Sequence, residues 1–203
     1  MTTTGIASKR LGKELNKIHQ SLPPGITLVS AEDFKEWLVD ICVLDSNPLY
    51  QGETYRIKLV FTPNYPIEPP EVTFLPLSTP PRPIPMHPHI YSNGIICLDL
   101  LGTQGWSPVQ NVESICMSLQ SMLTGNTKNE RPEGDYEFVK YNRKRPRDID
   151  FTIMMMGFED LQGEARKLRI TWGIERGKMG EGGGVFLECK ARQGRRNKCM
   201  DEF

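Results

Sequence analysis

Four short runs, residues 26–30, 36–44, 54–61 and 71–75, constrain what this chain can fold into more than any other feature. Each is rich in Val, Ile, Leu, Phe or Thr and is closed by turn residues. In the second run Trp37, Val39, Ile41 and Val43 alternate with Leu38, Asp40 and Cys42, the period of two expected of a strand. Ser46-Asn47-Pro48 and Gln51-Gly52 supply the turn into the third run. Consecutive strands joined by short turns build an antiparallel meander, with a helix packed on one face. The expected class is therefore α+β.

The covering helix comes first in the chain. Over residues 4–22, Ile6, Leu11, Leu15, Ile18 and Leu22 recur at helical spacing, with Lys9, Arg10, Lys13, Glu14 and Lys17 between them. Thr3 or Thr4 can cap its start, and Pro23-Pro24-Gly25 stops it. A second helix is expected where Val112, Ile115, Cys116, Leu119, Met122 and Leu123 recur at three and four, with Asn111 as cap and Gly125-Asn126 as stop. Tyr136, Phe138, Val139 and Tyr141 are compatible with a third helix or a docked strand.

Proline divides the chain. All 16 prolines lie at or before Pro146, whereas nine of the 18 glycines lie from Gly157 onward. A boundary at about 143 separates a core domain, 4–143, from an atypical C-terminal extension, 144–203. The extension has a short apolar run at 151–158 and weak helical periodicity over 161–172. Its last part, 173–203, is too poor in apolar residues to offset chain ordering, so the extension is expected to be largely disordered. The five prolines between Leu75 and Met86 favour an extended, stiff link with few internal hydrogen bonds.

Charge excludes some functions. The 25 Lys+Arg balance 25 Asp+Glu, so net charge gives no pull toward nucleic acid. No long apolar run opens the chain, so neither a signal peptide nor a membrane span is expected. The five cysteines, at 42, 97, 116, 189 and 199, have no zinc-ligand spacing, and no metal is expected. Cys42 and Cys116 fall inside apolar patterns and are expected to be reduced core residues, which fits a cytoplasmic or nuclear setting.

The stretch Met86 to Leu101, M-H-P-H-I-Y-S-N-G-I-I-C-L-D-L-L, holds the chemistry. A cysteine acts as a nucleophile when it reaches substrate, becomes thiolate, and has donors nearby for the charge that develops on the attacked carbonyl. Cys97, flanked by the His87-Pro88-His89 turn and by Asp99, can meet these needs. The competing reading is a small buried apolar residue, the usual fate of a free cysteine, and this window alone favours it.

The whole pattern, with Trp106-Ser107-Pro108 following, resembles the signature of ubiquitin-conjugating enzymes. There a His-Pro-Asn turn precedes the catalytic Cys, with Asn eight residues before it. Here His89 stands eight before Cys97, as in the W-type members of that family. Tyr65-Pro66-Ile67-Glu68-Pro69-Pro70 resembles the family's Tyr-Pro-x-x-Pro-Pro loop, and the resemblance runs over roughly residues 6–142. It implies an N-terminal helix, a four-stranded antiparallel meander, an active-site loop and C-terminal helices.

The resemblance also implies an activity. Cys97 would take ubiquitin from the activating enzyme as a thioester and pass it to a protein amine, with no cofactor. His89 would serve the oxyanion or merely pin the turn, and these two readings stand level. Glu130 aligns best with the carboxylate that orients the incoming amine, although Glu133 or Asp135 could replace it. Lys9 and Arg10 would meet the activating enzyme, while Ile67, Ser107, Pro108 and Val109 would form a ligase surface. The amine expected is the α-amine of a flexible protein N-terminus. Its pKa near 7.7–8.0 leaves far more free base at neutral pH than lysine's pKa near 10.4. The alternatives are a lysine-directed enzyme and a non-catalytic ubiquitin-binding scaffold of the same fold.

Overall fold

The structure, a computed structural model, describes residues 3–102 and 105–149. A helix, α1 (Thr3–Gln20), leads into strands β1 (Ile26–Ser30), β2 (Glu36–Cys42), β3 (Thr54–Val60) and β4 (Glu71–Phe74). They form one sheet in the order β1-β2-β3-β4, antiparallel throughout, as the short connections require. Helices α2 (Val112–Thr124) and α3 (Asp135–Tyr141) follow, with single 3-10 turns at Asp99–Leu101 and Pro146–Asp148.

The alternation in β2 sets the core. Trp37, Val39 and Ile41 face inward and meet Leu59 and Ile57 of β3, Leu11 of α1, and Ile115 and Leu119 of α2. Ile6, expected in the apolar stripe of α1, is instead 56% exposed, and Ala7 with Leu11 and Ile18 forms the buried line. The cap of α2 is as expected: Asn111 accepts from the Ser114 amide at 2.9 Å, and Ser114 Oγ accepts from the Asn111 amide in return. Segment 135–141 is a helix and not a docked strand. Phe138 points inward and stacks on Tyr91 at 3.8 Å between ring centroids.

Three local expectations change. The proline-rich link folds back as a small hairpin, β5 (Leu77–Ser78) against β6 (Pro81–Arg82), where a single extended run was expected. An anchor explains it: Arg82 donates to the buried Asp40 carboxylate at 3.0 and 3.2 Å, beside Arg56, which binds the same group. The two cationic partners hold the Asp40 pKa below the usual carboxylate range, against the opposing effect of burial. Second, Cys116 is fully buried but Cys42, at the end of β2, is only half-buried. Third, the chain stays packed past 143. Arg147 pairs with Glu68 at 3.4 Å and Glu71 at 3.2 Å, and Ile149 is buried. The apolar run at 151–158 and everything after it lie outside the described residues.

Candidate active site

The loop carrying Cys97 is stitched to the edge of the sheet. The Phe74 amide at the end of β4 donates to the Gly94 carbonyl at 2.9 Å, and Thr73 bridges Ile95. This close approach needs Gly94. Its φ is +88°, and a Cβ there would lie 2.1 Å from the Phe74 carbonyl oxygen. Asn93 Oδ1 accepts from the Ile95 amide at 3.2 Å, and Tyr91 and Ile95 pair across the turn at 2.9 Å. The Ser92-Asn93-Gly94 sequence therefore reverses the chain and returns it toward Cys97.

Main-chain bonds fix the second turn. The Cys97 amide donates to the His89 carbonyl at 2.8 Å, and the His89 amide donates to His87 Nδ1 at 2.9 Å. His87 is 4% exposed. Burial, followed by the nearby His89 charge, pushes its pKa down to about 4. It is thus neutral at physiological pH. Because Nδ1 accepts, the ring proton sits on Nε2. The His89 ring is exposed and tilted 41° to that of His87, at 5.4 Å between centroids.

Cys97 itself is half-buried. Its side chain packs against a small apolar cluster of Tyr91, Ile95, Phe138 and Ile149. Burial pushes the thiol up to about 11, and the Asp99 carboxylate adds to the effect. Asp99 therefore opposes thiolate formation. An acidic cysteine is not required for thiol exchange, which favours attackers with a pKa near ambient pH but proceeds through whatever thiolate is present.

The remaining sequence-predicted residues fall into two groups. Glu130 is exposed in the loop after α2 and pairs with Lys128 at 3.4 Å. Asp135 accepts from the Ser92 amide at 2.7 Å, so its carboxylate holds the Cys97 loop. The residues expected to bind partners lie elsewhere. Trp106 Nε1 donates to the Pro66 carbonyl at 2.8 Å, which joins the Ile67 loop to the Ser107-Pro108 loop. Ile67 is 70% exposed and Val109 80%. Pro108 and Lys9 are also exposed. Arg10 is half-buried and engaged, to Glu14 at 2.5 Å and the Gln110 carbonyl at 2.7 Å.

Two residues that sequence reasoning missed organise this region. Glu14, one of the charged residues between the apolar positions of the first helix, is buried. It accepts from Arg10, from the Tyr65 hydroxyl at 2.7 Å and from the Val112 amide at 2.9 Å. One carboxylate thus joins α1, the Tyr-Pro loop and the N-terminus of α2, where negative charge is favoured. Arg131 does the equivalent on the segment that precedes Cys97. Its Nη1 donates to the Pro85 carbonyl at 2.5 Å and the Ile90 carbonyl at 3.0 Å, and its Nη2 to the Ile84 carbonyl at 3.1 Å. Nothing in the sequence marked Arg131 beyond its position after Glu130.

Comparison with known proteins points to one family. The ubiquitin-conjugating enzyme family matches residues 10–150. A probable ubiquitin-conjugating enzyme E2 16 of Arabidopsis thaliana is 39% identical over 139 residues, covering 68% of this chain and 81% of that protein. A probable ubiquitin-conjugating enzyme E2 W of Dictyostelium discoideum is 38% identical over 143 residues, covering 70% and 91%. The crystal structure of ubiquitin-conjugating enzyme E2 UbcA1 from Agrocybe aegerita superposes with a TM-score of 0.65 at 42% identity, covering 70% of this chain and 99% of that one.

Proposed function

The chain belongs to the ubiquitin-conjugating enzyme family, and from that premise we propose that Cys97 carries ubiquitin as a thioester and delivers it to the α-amine of a protein N-terminus. As a family member the chain is a transferase that works with ubiquitin, an activating enzyme and ligases. In the first step Cys97 Sγ attacks the thioester carbonyl on the activating enzyme. A new S–C bond forms, and the donor cysteine leaves as thiolate. In the second step the amine nitrogen attacks the same carbonyl, the C–N bond forms, and Cys97 leaves as thiolate. The proton lost by the amine passes to a base or to water.

The observation that carries the reading is the placement of Cys97. It stands half-buried at the lip of an apolar cluster, its amide tied to the turn that bears His89. The α-amine preference draws on two features. The position eight before Cys97 bears an exposed imidazole instead of a carboxamide, and Glu130 is exposed and paired with Lys128. An amine that is partly free base at neutral pH needs less help from a general base. Lys9 and Arg10 are proposed for the activating enzyme. Ile67, Ser107, Pro108 and Val109 are proposed for ligases, where exposed apolar side chains suit a contact patch.

The test is charging with ubiquitin, activating enzyme and ATP. A reducible adduct should form, become reduction-resistant in Cys97→Ser and vanish in Cys97→Ala. The charged enzyme is then offered equal concentrations of free lysine and a lysine-free unstructured peptide. Faster discharge to the peptide, abolished by acetylating its N-terminus, supports the α-amine. Faster discharge to lysine refutes it and leaves a lysine-directed enzyme. An absent adduct leaves a ubiquitin-binding scaffold.

A further inference from the structure

The segment that precedes Cys97 is gripped from one direction. The loop that leaves α2 at Gly125 and the first residue of α3 hold it at three points, one of them through Tyr50. Asn126 Nδ2 donates to the Tyr50 hydroxyl at 2.5 Å, and that hydroxyl donates to the Met86 carbonyl at 2.7 Å. Arg131 binds the carbonyls of Ile84, Pro85 and Ile90. Asp135 takes the Ser92 amide.

Arg131 differs from the other two contacts in what it spans. Pro85 lies before the His87-Pro88-His89 turn and Ile90 lies after it, and a single nitrogen, Nη1, binds both carbonyls. That nitrogen closes the turn across its base. The His89 carbonyl, which receives the Cys97 amide, lies inside the closed span. No side-chain hydrogen bond from His89 contributes among the described residues. Its ring lies 5.4 Å from the His87 ring. The order of this turn is therefore supplied by its own bonds, the Ile90 amide to the His87 carbonyl at 3.0 Å and the His89 amide to His87 Nδ1, and by Arg131 from across the fold, and not by the side chain at 89. Charge-assisted donation from a guanidinium is stronger than neutral bonding, and the planar fork fixes direction as well as distance.

We propose that Arg131 is the positioning residue for the transfer step: by bridging the Pro85 and Ile90 carbonyls it holds the His89 turn against Cys97 and makes the loop carrying Glu130 move with it. The proposal rests on the Cys97 thioester reading above. It separates two steps that a general loss of structure would not. Charging requires Cys97 to meet a protein partner that supplies its own surface. Discharge to a small amine depends on the turn and on the loop after α2 staying in register with the thioester, and small misplacements of reacting groups cost up to a hundredfold in rate.

The experiment compares the full chain with Arg131→Met, which keeps the aliphatic stem and loses every donor, and with Arg131→Lys, whose ammonium can rebuild the bridge made by Nη1. Discharge of the pre-formed thioester is measured against amine concentration. Arg131→Met should lower the saturating rate roughly tenfold, with the half-saturating amine concentration and the charging rate within about twofold of the parent. Arg131→Lys should recover to within about threefold. Amide hydrogen exchange at His89 and Cys97 should rise roughly tenfold in Arg131→Met and fall back in Arg131→Lys. Should Arg131→Met not fold, Arg131→Gln, with one remaining amide donor, takes its place.

Parent-like discharge in Arg131→Met, or a Lys variant as slow as the Met variant, overturns the proposal. Equal losses of charging and discharge also overturn it, since they indicate a general loss of structure. If the parent chain forms no thioester, the functional reading fails. The exchange measurement then still decides whether Arg131 holds the turn.

Discussion

Replacing Gly94 by Ala should be among the most damaging single changes in the domain, and Gly52 provides the control that isolates why. Both glycines have positive φ, +88° and +79°. A side chain at Gly52 meets nothing within 4 Å. Gly52→Ala therefore measures the conformational cost alone, about 1–2 kcal/mol for an L-residue in this region. At Gly94 the added Cβ lies 2.1 Å from the Phe74 oxygen and 3.0 Å from its carbon, atoms of the sheet backbone that cannot rotate aside. Relief requires the two chains to separate by about 1 Å. That breaks the Phe74–Gly94 bond of 2.9 Å and the adjoining Thr73–Ile95 bridge. At about 1 kcal/mol for each backbone bond, the total reaches about 3–4 kcal/mol. Urea unfolding of the two variants and the parent gives the comparison, with equal m-values as the check on two-state behaviour. Gly94→Ala should also charge poorly, because Cys97 lies three residues along the displaced strand. A Gly94→Ala cost within 1 kcal/mol of Gly52→Ala would refute the reasoning: the loop would then yield freely and could not hold Cys97 in place.

Three further outcomes follow from the site. His87, pushed down to about 4 from 6.5, stays neutral in the folded chain while the unfolded chain takes up a proton. Its contribution to stability is whole above pH 6.5 and is lost as pH falls toward 4. His87→Asn, which can keep an acceptor for the His89 amide without titrating, should flatten the stability profile over that window in urea melts. Asp99→Asn removes the charge that raises the Cys97 pKa, so alkylation of Cys97 by iodoacetamide at pH 8 should speed up roughly twofold to fivefold. Slower alkylation would mean that Asp99 favours the thiolate by another route. Ile149→Ala should cost about 2 kcal/mol in thermal melts, because a buried side chain in contact with the Cys97 cluster is lost. An unchanged melting temperature would place the edge of the domain before residue 149.

What could be read from the sequence was whatever depended on local periodicity. The face of β2 that Trp37, Val39 and Ile41 present to the core is visible as alternation. The α2 cap is visible because its partners lie three residues apart. The signature around Cys97 is a contiguous stretch, so it too can be seen. Glu14 was not legible, because its partners Tyr65 and Val112 lie 51 and 98 residues away. A helical period says which face a residue occupies and not what will cover it. The same limit hid Asp40. Its position in the alternation turns it from the core, and the arginines that bury it come from β3 and from the proline-rich hairpin. It also hid Arg131, whose three acceptors are main-chain carbonyls and have no signature in any sequence.

That last point bears on the His at position 89. A turn whose shape depended on its own side chain could not exchange a carboxamide for an imidazole without changing shape. Here the shape is set otherwise. The His89 amide goes to His87, its carbonyl receives Cys97, and the flanking carbonyls belong to Arg131 and Tyr50. All of these bonds are made with backbone groups of the segment 84–90, so they do not depend on which side chain residue 89 carries. The imidazole is exposed, its ring 5.4 Å from that of His87. Position 89 is thus a place where the side chain can vary while the frame around Cys97 stays fixed. It is the backbone clamps, more than the identity of residue 89, that keep the frame the family requires.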